Sequence, residues 1–313
     1  VPQAQLTIFK KENFMKKYAL LLALALAAGA VSAQTAPQVS VYGKVRVYEE
    51  SYTLGTASPL TRLTNDATRL GFKATSDVGS GITATGIIET GVAIDAPSAT
   101  TLGDRTARFN LSNELGTIGM GRDKHTVALA LDNFDVFGNV YGTIVGTVHN
   151  AQGSRIQNAL FVSSAPIAGF SANWQMANSE TAGTANTTAG SLDYTNGPFS
   201  ATFARYDDGI SSSTNIVGVK YNLASTGTTV FGLYSNDVAS NVSTTGKSIG
   251  VSQAITSQLS VLGNYGETDS GKTGRGVGVR YDMNKALAFH ARYSFIDTTT
   301  DVTQYGVGVE YNF

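Results

Sequence analysis

The stretch VTQYGVGVEYNF, residues 302–313, decides the fold of the chain. In it Tyr305, Val307, Val309, Tyr311 and Phe313 alternate with Gln304, Gly306, Gly308, Glu310 and Asn312. A period of two puts the first set on one face of a β-strand and the second on the other. One step towards the N-terminus, Leu287, Phe289, Ala291, Tyr293 and Phe295 alternate with Ala288, His290, Arg292 and Ser294. The far end repeats the pattern, with Val39, Val41, Val45 and Val47 set against Ser40, Tyr42, Lys44, Arg46 and Tyr48. Each stretch reads as a strand with one apolar and one polar face.

Such strands occur in soluble sandwiches and in membrane barrels, and three features separate the two. Aromatic residues close the apolar faces, at Tyr281, Tyr293, Phe295, Tyr305, Tyr311 and Phe313, as the girdles at bilayer interfaces require. The polar faces carry charge and glycine rather than a second apolar layer. No amphipathic helix is available to cover either face. Beyond the N-terminal region no apolar run approaches the roughly 20 residues that a membrane-crossing helix needs. Membrane residence therefore requires a closed barrel, in which every backbone polar group finds a partner within the sheet.

The N-terminal region reads as an export signal. Met15, Lys16 and Lys17 precede an apolar run of about a dozen residues, and Val31, Ser32 and Ala33 offer the small side chains a signal peptidase reads. Residues 1–14 are expected to be a non-native upstream extension, 15–33 a cleavable signal peptide and 34–313 the barrel domain. Without residues 1–33 the chain loses four lysines and one glutamate, leaving 18 basic against 22 acidic side chains. That balance gives no support to nucleic-acid binding. There is no cysteine, which removes disulfides and thiolate metal sites. Thirty-four glycines against six prolines, with many Thr, Ser, Tyr and Val, favour strands and tight turns.

Alternating stretches fall at 40–50, 67–76, 82–92, 105–113 and 117–122, then, after a long segment at 123–154, at 155–164, 170–176, 191–195, 199–207, 215–223, 228–235, 247–254, 258–268, 275–282, 287–296 and 302–313. The expectation is an all-β, sixteen-stranded antiparallel transmembrane barrel, an even number as such barrels require. Breaks at 77–81, 114–116, 196–197 and 283–286 are tight, whereas those at 51–66, 93–104, 177–190 and 236–246 are longer. Short turns on one rim and longer loops on the other is the transmembrane arrangement, with the short turns periplasmic.

The mature chain resembles the trimeric general porins of Gram-negative outer membranes, in the β-proteobacterial branch. The resemblance is carried by SVYG at 40–43, TRLGFK at 68–73, RTARFNL at 105–111, LGTIGMGR at 115–122, SAP at 164–166 with Gly169 and Phe170, and YGVGVEYNF at 305–313. It implies a homotrimer in the outer membrane, among lipid and lipopolysaccharide, passing ions and small hydrophilic solutes by diffusion and needing no cofactor. It also implies that Phe313 is the signal read by the barrel-assembly machinery, and that 123–154 folds inward to constrict the channel. The apolar stretch from Val127 to Leu131 agrees with a segment packed on the wall. In many relatives the sixth strand carries an arginine where this chain has Phe161, which argues against strong anion selectivity.

If the Val, Leu and Phe faces meet lipid, the opposite parity faces water. Lys44, Arg46, Arg69, Lys73 and Arg108 then line the channel, with Glu89, Arg280 and Arg292 on the same side. A basic ladder facing Asp132 and Asp135 of the inward segment would set up a transverse field that orients dipolar solutes and biases ion passage. The bland reading is that these charges only keep the channel wet.

An enzyme would need a nucleophile, a base and an orienting group within reach of one another. The three histidines are His125, His149 and His290. His149 stands near Asn150 and Ser154, but neighbours in sequence do not make a triad. No metal-ligand cluster is legible. The glycine runs at Gly274–Gly278 and Gly306–Gly308 sit inside strands, where they relieve crowding. A plugged structural or adhesive barrel is the alternative, and it predicts bulkier loops than these.

Overall fold

The protein, described here from a computed structural model, is defined over residues 36–96, 101–138, 141–150 and 153–313. The expected upstream extension and signal peptide, residues 1–33, lie outside the described residues. In chain order the strands are β1 (Gln38–Leu54), β2 (Leu60–Asn65), β3 (Arg69–Asp77), β4 (Thr83–Gly91), β5 (Thr106–Asn113) and β6 (Gly116–Lys124). Two helices follow, α1 (Thr126–Phe134) and α2 (Val145–Val148). Then come β7 (Arg155–Ser164), β8 (Phe170–Ala177), β9 (Thr187–Asn196), β10 (Phe199–Asp207), β11 (Ser213–Leu223) and β12 (Thr228–Ala239). The last five are β13 (Val242–Ala254), β14 (Leu259–Thr268), β15 (Thr273–Asp282), β16 (Leu287–Asp297) and β17 (Val302–Asn312).

The strands form one sheet, antiparallel at every described pairing, and β1 closes it. One edge of β1 pairs with β17 from Lys44 to Leu54. Its other edge pairs with β3 over Gln38–Lys44 and with β2 over Val47–Tyr52. The segments β2 and β3 are thus one barrel strand interrupted at 66–68, where Ala67 takes φ 58°. The Thr68 hydroxyl bridges the interruption, accepting from Arg46 N at 3.0 Å and donating to Arg46 O at 3.1 Å. The barrel has sixteen strands, as the alternation required.

Three of the sequence expectations need correction, the first being that no helix covers either face, since the apolar side of α1 packs on the inner wall. Residues 60–65 were read as loop but extend the second strand, because Leu60, Arg62 and Thr64 pair with Tyr52, Glu50 and Tyr48. The break at 236–246 is no long loop. β12 and β13 pair out to Ala239 and Val242, and Ser240 and Asn241 turn the chain with φ 50° and 64°.

The register fixes which way each side chain points. Val41, Phe72, Ile88, Phe109, Phe203, Val217, Val277 and Val307 are exposed on the outside and form an apolar outer face. The buried apolar cluster lies inside the barrel, between α1 and the wall. Val127, Ala130, Leu131 and Phe134 of α1 pack with Ile156, Phe161, Ala189, Ala204, Ile216 and Leu233 of the strands. Burying Val127 and Leu131 contributes about 1.5–3 kcal/mol each. The helix starts at His125, whose Nδ1 accepts from Ala128 N at 3.3 Å. This core gives the 123–154 segment a fixed seat on the inner wall.

Candidate functional site: the luminal constriction

The segment between β6 and β7 follows the inner wall instead of leaving the barrel. Helix α1 lies against β9, β10, β11 and β12, and α2 against β13, β14 and β15. At its far tip the Tyr141 ring stacks on Tyr48 of β1, with centroids 4.3 Å apart. Tyr141 N donates to Asp66 Oδ2 at 3.0 Å, and Arg292 of β16 donates to Tyr141 O. The segment therefore crosses from β6 to the closure strand and returns.

What admits it is glycine. A Cβ at Gly278 of β15 would come within 2.9 Å of the Phe137 ring, and one at Gly274 within 2.8 Å of Ile144 Cβ. Gly218 of β11 leaves the space taken by Phe134, Gly250 of β13 that of Val136, and Gly306 of β17 that of the Tyr141 hydroxyl. All these glycines face the lumen by register. The run at Gly274–Gly278 and Gly306, read from sequence as relief of crowding, form the groove that receives the constriction segment, while Gly308 makes room for the Tyr48 ring of β1. Their repetition on luminal parity was the signal available in the sequence.

The wall from β1 to β7 carries most of the luminal cations, with Arg280 of β15 and Arg292 of β16 across the seam. Arg46 is buried between two acids, with Nη1 2.9 Å from Glu310 Oε2 and Nε 3.2 Å from Asp66 Oδ2. Lys44 Nζ lies 3.2 Å from Glu310 Oε1, and Arg280 Nη1 lies 3.7 Å from the same oxygen. Next along the wall, Arg69 and Arg105 share Glu89 at 3.5 and 2.7 Å. Arg155 joins this group by donating to Arg105 O at 2.6 Å. Arg108 pairs with Asp123 Oδ2 at 3.1 Å and lies over the Phe161 ring at 4.3 Å. Lys73 has luminal parity but stands opposite Ser40 towards the Val78–Ile82 turn, exposed and away from the others.

Lys44, Arg46, Arg69 and Arg108 are therefore gathered on one wall, each held by an acid from a neighbouring element. Glu310, Asp66, Asp123, Arg105 and Arg155 complete the arrangement and were not singled out from sequence. Glu310 and Arg46 become neighbours only when the barrel closes, so no local signal could pair them. On the segment itself Asp132 pairs with Lys124 at the foot of α1. Asp135 is turned into the wall. It accepts from Thr143 Oγ1 at 2.7 Å and lies 3.4 Å from Asn264 Nδ2. His290, left without a partner by the sequence, sits between Arg280 at 3.5 Å and Arg292 at 3.2 Å. Phe313 continues the closing seam, with Gly43 N donating to its carbonyl at 2.9 Å and its ring over Gly43.

A barrel narrowed from inside by one long segment, with charge on the facing wall, is a channel architecture. The family model described as Gram-negative porin matches residues 19–313. The chain belongs to this family. As a Gram-negative porin it is an outer-membrane channel for small solutes. Its fold is similar to the anion-selective porin from Comamonas acidovorans, with TM-score 0.77 and 18% identity over 88% of this chain and 100% of that one. Salmonella typhi OmpF, in complex with daunomycin, matches with TM-score 0.68 and 17% identity over 88% of this chain and 97% of that one. The trimer form of Vibrio cholerae OmpT matches with TM-score 0.67 and 15% identity over 89% and 100%. No curated protein matches the chain by sequence. Neither the family nor these structures lend support to a plugged adhesive barrel.

Proposed function

We propose that this porin is a general diffusion channel whose ion preference is set where the β1–β7 wall faces the constriction segment. The observation that carries this reading is the local excess of cations: Arg69, Arg105 and Arg155 gather at Glu89. At the closing seam Lys44, Arg46 and Arg280 are matched by Glu310, Asp66 and Asp282, so the unbalanced charge sits at Glu89. In a water-filled passage such an excess biases ions and aligns dipolar solutes, with screening over about 8 Å at physiological salt. The acidic side of the field falls to Asp132, while Asp135 serves to hold the segment together. Because acids neutralise part of the cationic wall, the preference is for anions and weak. The polar side chains of the lumen act on solutes in transit and carry out no catalytic step.

The test is the reversal potential of the refolded protein in a planar bilayer under a salt gradient, for the wild type and for Arg69→Ala with Arg105→Ala. A shift towards cations in the double variant supports the reading. An unmoved potential would remove it.

The proposed assembly is a homotrimer whose subunits meet through the outside of β1–β7. Every outward-facing Tyr and Trp on the described strands lies on β8–β17, from Trp174 and Tyr194 to Tyr305 and Tyr311. Over β1–β7 the aromatic girdle that marks lipid contact is interrupted. There Glu49, exposed and outward, pairs in register with Val307, one outward position from Tyr305. A carboxylate at that depth is costly against lipid and suits a polar contact with a second copy. Lipopolysaccharide and lipid are assigned to the aromatic face, and recognition by the assembly machinery to Phe313.

A further inference from the structure

One buried imidazole holds the returning limb of the constriction segment to the wall. His149, directly after α2, is 1% exposed. Its Nδ1 lies 2.8 Å from Ser235 Oγ of β12, and its Nε2 lies 2.8 Å from Ser248 Oγ of β13. Ser235 Oγ donates its proton to Asp237 Oδ2 at 2.6 Å. The Ser235 oxygen must then accept from His149 Nδ1–H, which leaves Nε2 as the acceptor for Ser248. The hydrogen bonds thus select a neutral ring with its proton on Nδ1.

The same limb is tied on either side. Thr214 Oγ1 of β11 donates to Asn150 O at 2.9 Å, and Asn150 N donates to Asp237 Oδ2 at 3.3 Å. Gly246 of β13 leaves the room for Val148 O and the imidazole. The charged groups of the surrounding elements decide what protonation would meet. Lys247 of β13 and Glu267 of β14 point outward by register, and α2 and the facing residues Thr214, Gly246 and Gly266 are uncharged. Asp237, one hydroxyl away, is the charged group on the luminal side among the described residues.

We propose that His149 is a positioning residue that pins the constriction segment to β12 and β13, and that its protonation releases the limb and makes the channel acid-sensitive. The inference rests on the channel reading above. Ionising the ring puts a charge into a nearly dry site and forces the Ser248 hydroxyl to turn its proton away. Burial accordingly pushes the imidazole down to about 4 from its ordinary 6.5. The docked limb favours the neutral ring, so its full hold is present above pH 6.5. That hold is lost progressively as pH falls from 6.5 towards 4.

Conductance of the refolded barrel in a planar bilayer, titrated from about pH 7 to about pH 3.5 at constant salt, tests this. The wild type should show a several-fold rise in closing events or conductance noise as pH approaches 4. His149→Gln, which keeps a neutral hydrogen-bonding side chain, should conduct at neutral pH and lack the acid transition. A second variant does not depend on altering His149. The chain has no cysteine, so Ile144→Cys with Gly274→Cys introduces a single pair. A Cβ at Gly274 lies close enough to Ile144 Cβ to form a disulfide after a small shift. The oxidised lock should abolish the acid transition, and reductant should restore it. An acid transition that survives either the His149→Gln change or the lock overturns the proposal. Steps at neutral pH with no acid transition in the wild type overturn it alone, whereas no steps at any pH overturn the channel reading with it.

Discussion

The Arg108 guanidinium carbon lies 4.3 Å from the centre of the Phe161 ring, reaching across β6 from β5 to β7. It can do so because Gly119 stands between them, where a Cβ would meet Arg108 Nε at 2.8 Å. Asp123 holds the other side of the guanidinium at 3.1 Å. The arginine is laid along the wall instead of projecting into the channel.

Removing the ring should therefore change ion preference through a residue that carries no charge. Phe161→Leu loses a cation–π contact worth about 0.5–2 kcal/mol and lets Arg108 swing towards the passage. The reversal potential should move towards anions while the barrel still folds. If the potential stays where it is in the wild type, Arg108 does not sense the ring.

The glycine groove makes a second prediction. Gly278→Val places a branched side chain where the Phe137 ring sits, so the constriction segment must lift while the strand itself is well served by valine. Single-channel conductance should rise or become noisy, with far-ultraviolet circular dichroism unchanged. Gly86→Ala, on the outside with open space around it, is the matched control and should leave conductance alone.

Asp132 separates field from scaffold. Its pair with Lys124 is partly exposed, so Asp132→Asn should change stability by less than about 1 kcal/mol. Loss of the carboxylate should nevertheless increase anion preference. A drop of several kcal/mol in unfolding free energy with no change in reversal potential would make the aspartate a structural tie.

Phe313 both closes the seam on Gly43 and is proposed as the assembly signal. Deleting it should lower the amount of protein inserted in the outer membrane of cells far more than it lowers refolding into detergent. Equal losses in the two assays would assign its effect to the seam alone.

Glu49 discriminates lipid from protein on the outside of β1. Against lipid, Glu49→Leu would stabilise the barrel. Against a second copy it should weaken a heat-resistant oligomer, seen as a lower dissociation temperature in gel electrophoresis. An oligomer at least as heat-stable as the wild type would move the interface away from β1.

The periodic elements were readable and the interrupted ones were not. Strands such as β16 and β17 announce themselves because every second residue is large and apolar. The 60–65 segment carries too few apolar residues to alternate visibly. It becomes strand because β1 is long enough to pair with it beyond the Ala67 break. The hairpin at 236–246 was hidden for a related reason: its few apolar residues, Val238, Ala239 and Val242, do not alternate, so pairing continues without a hydrophobic pattern to reveal it. Of the proposed site residues, Lys44, Arg46, Arg69 and Arg108 were placed on the luminal face by parity alone, whereas the burial of Asp135 was not foreseen. Asp135 lies in a long non-strand segment, where no period relates a residue to a wall.

By itself the sequence determined the strands, their two faces and the barrel they must form. Those are local properties, since the backbone of an extended chain sends neighbouring side chains to opposite sides whatever lies beyond. Tertiary structure alone decided which charges meet and where the constriction rests. Arg46 and Glu310 are 264 positions apart and touch only because β1 closes on β17, and His149 finds Ser235 and Ser248 only because luminal glycines admit the segment that carries it. Contacts of that kind depend on closure register and on shape, which a pattern along the chain does not encode.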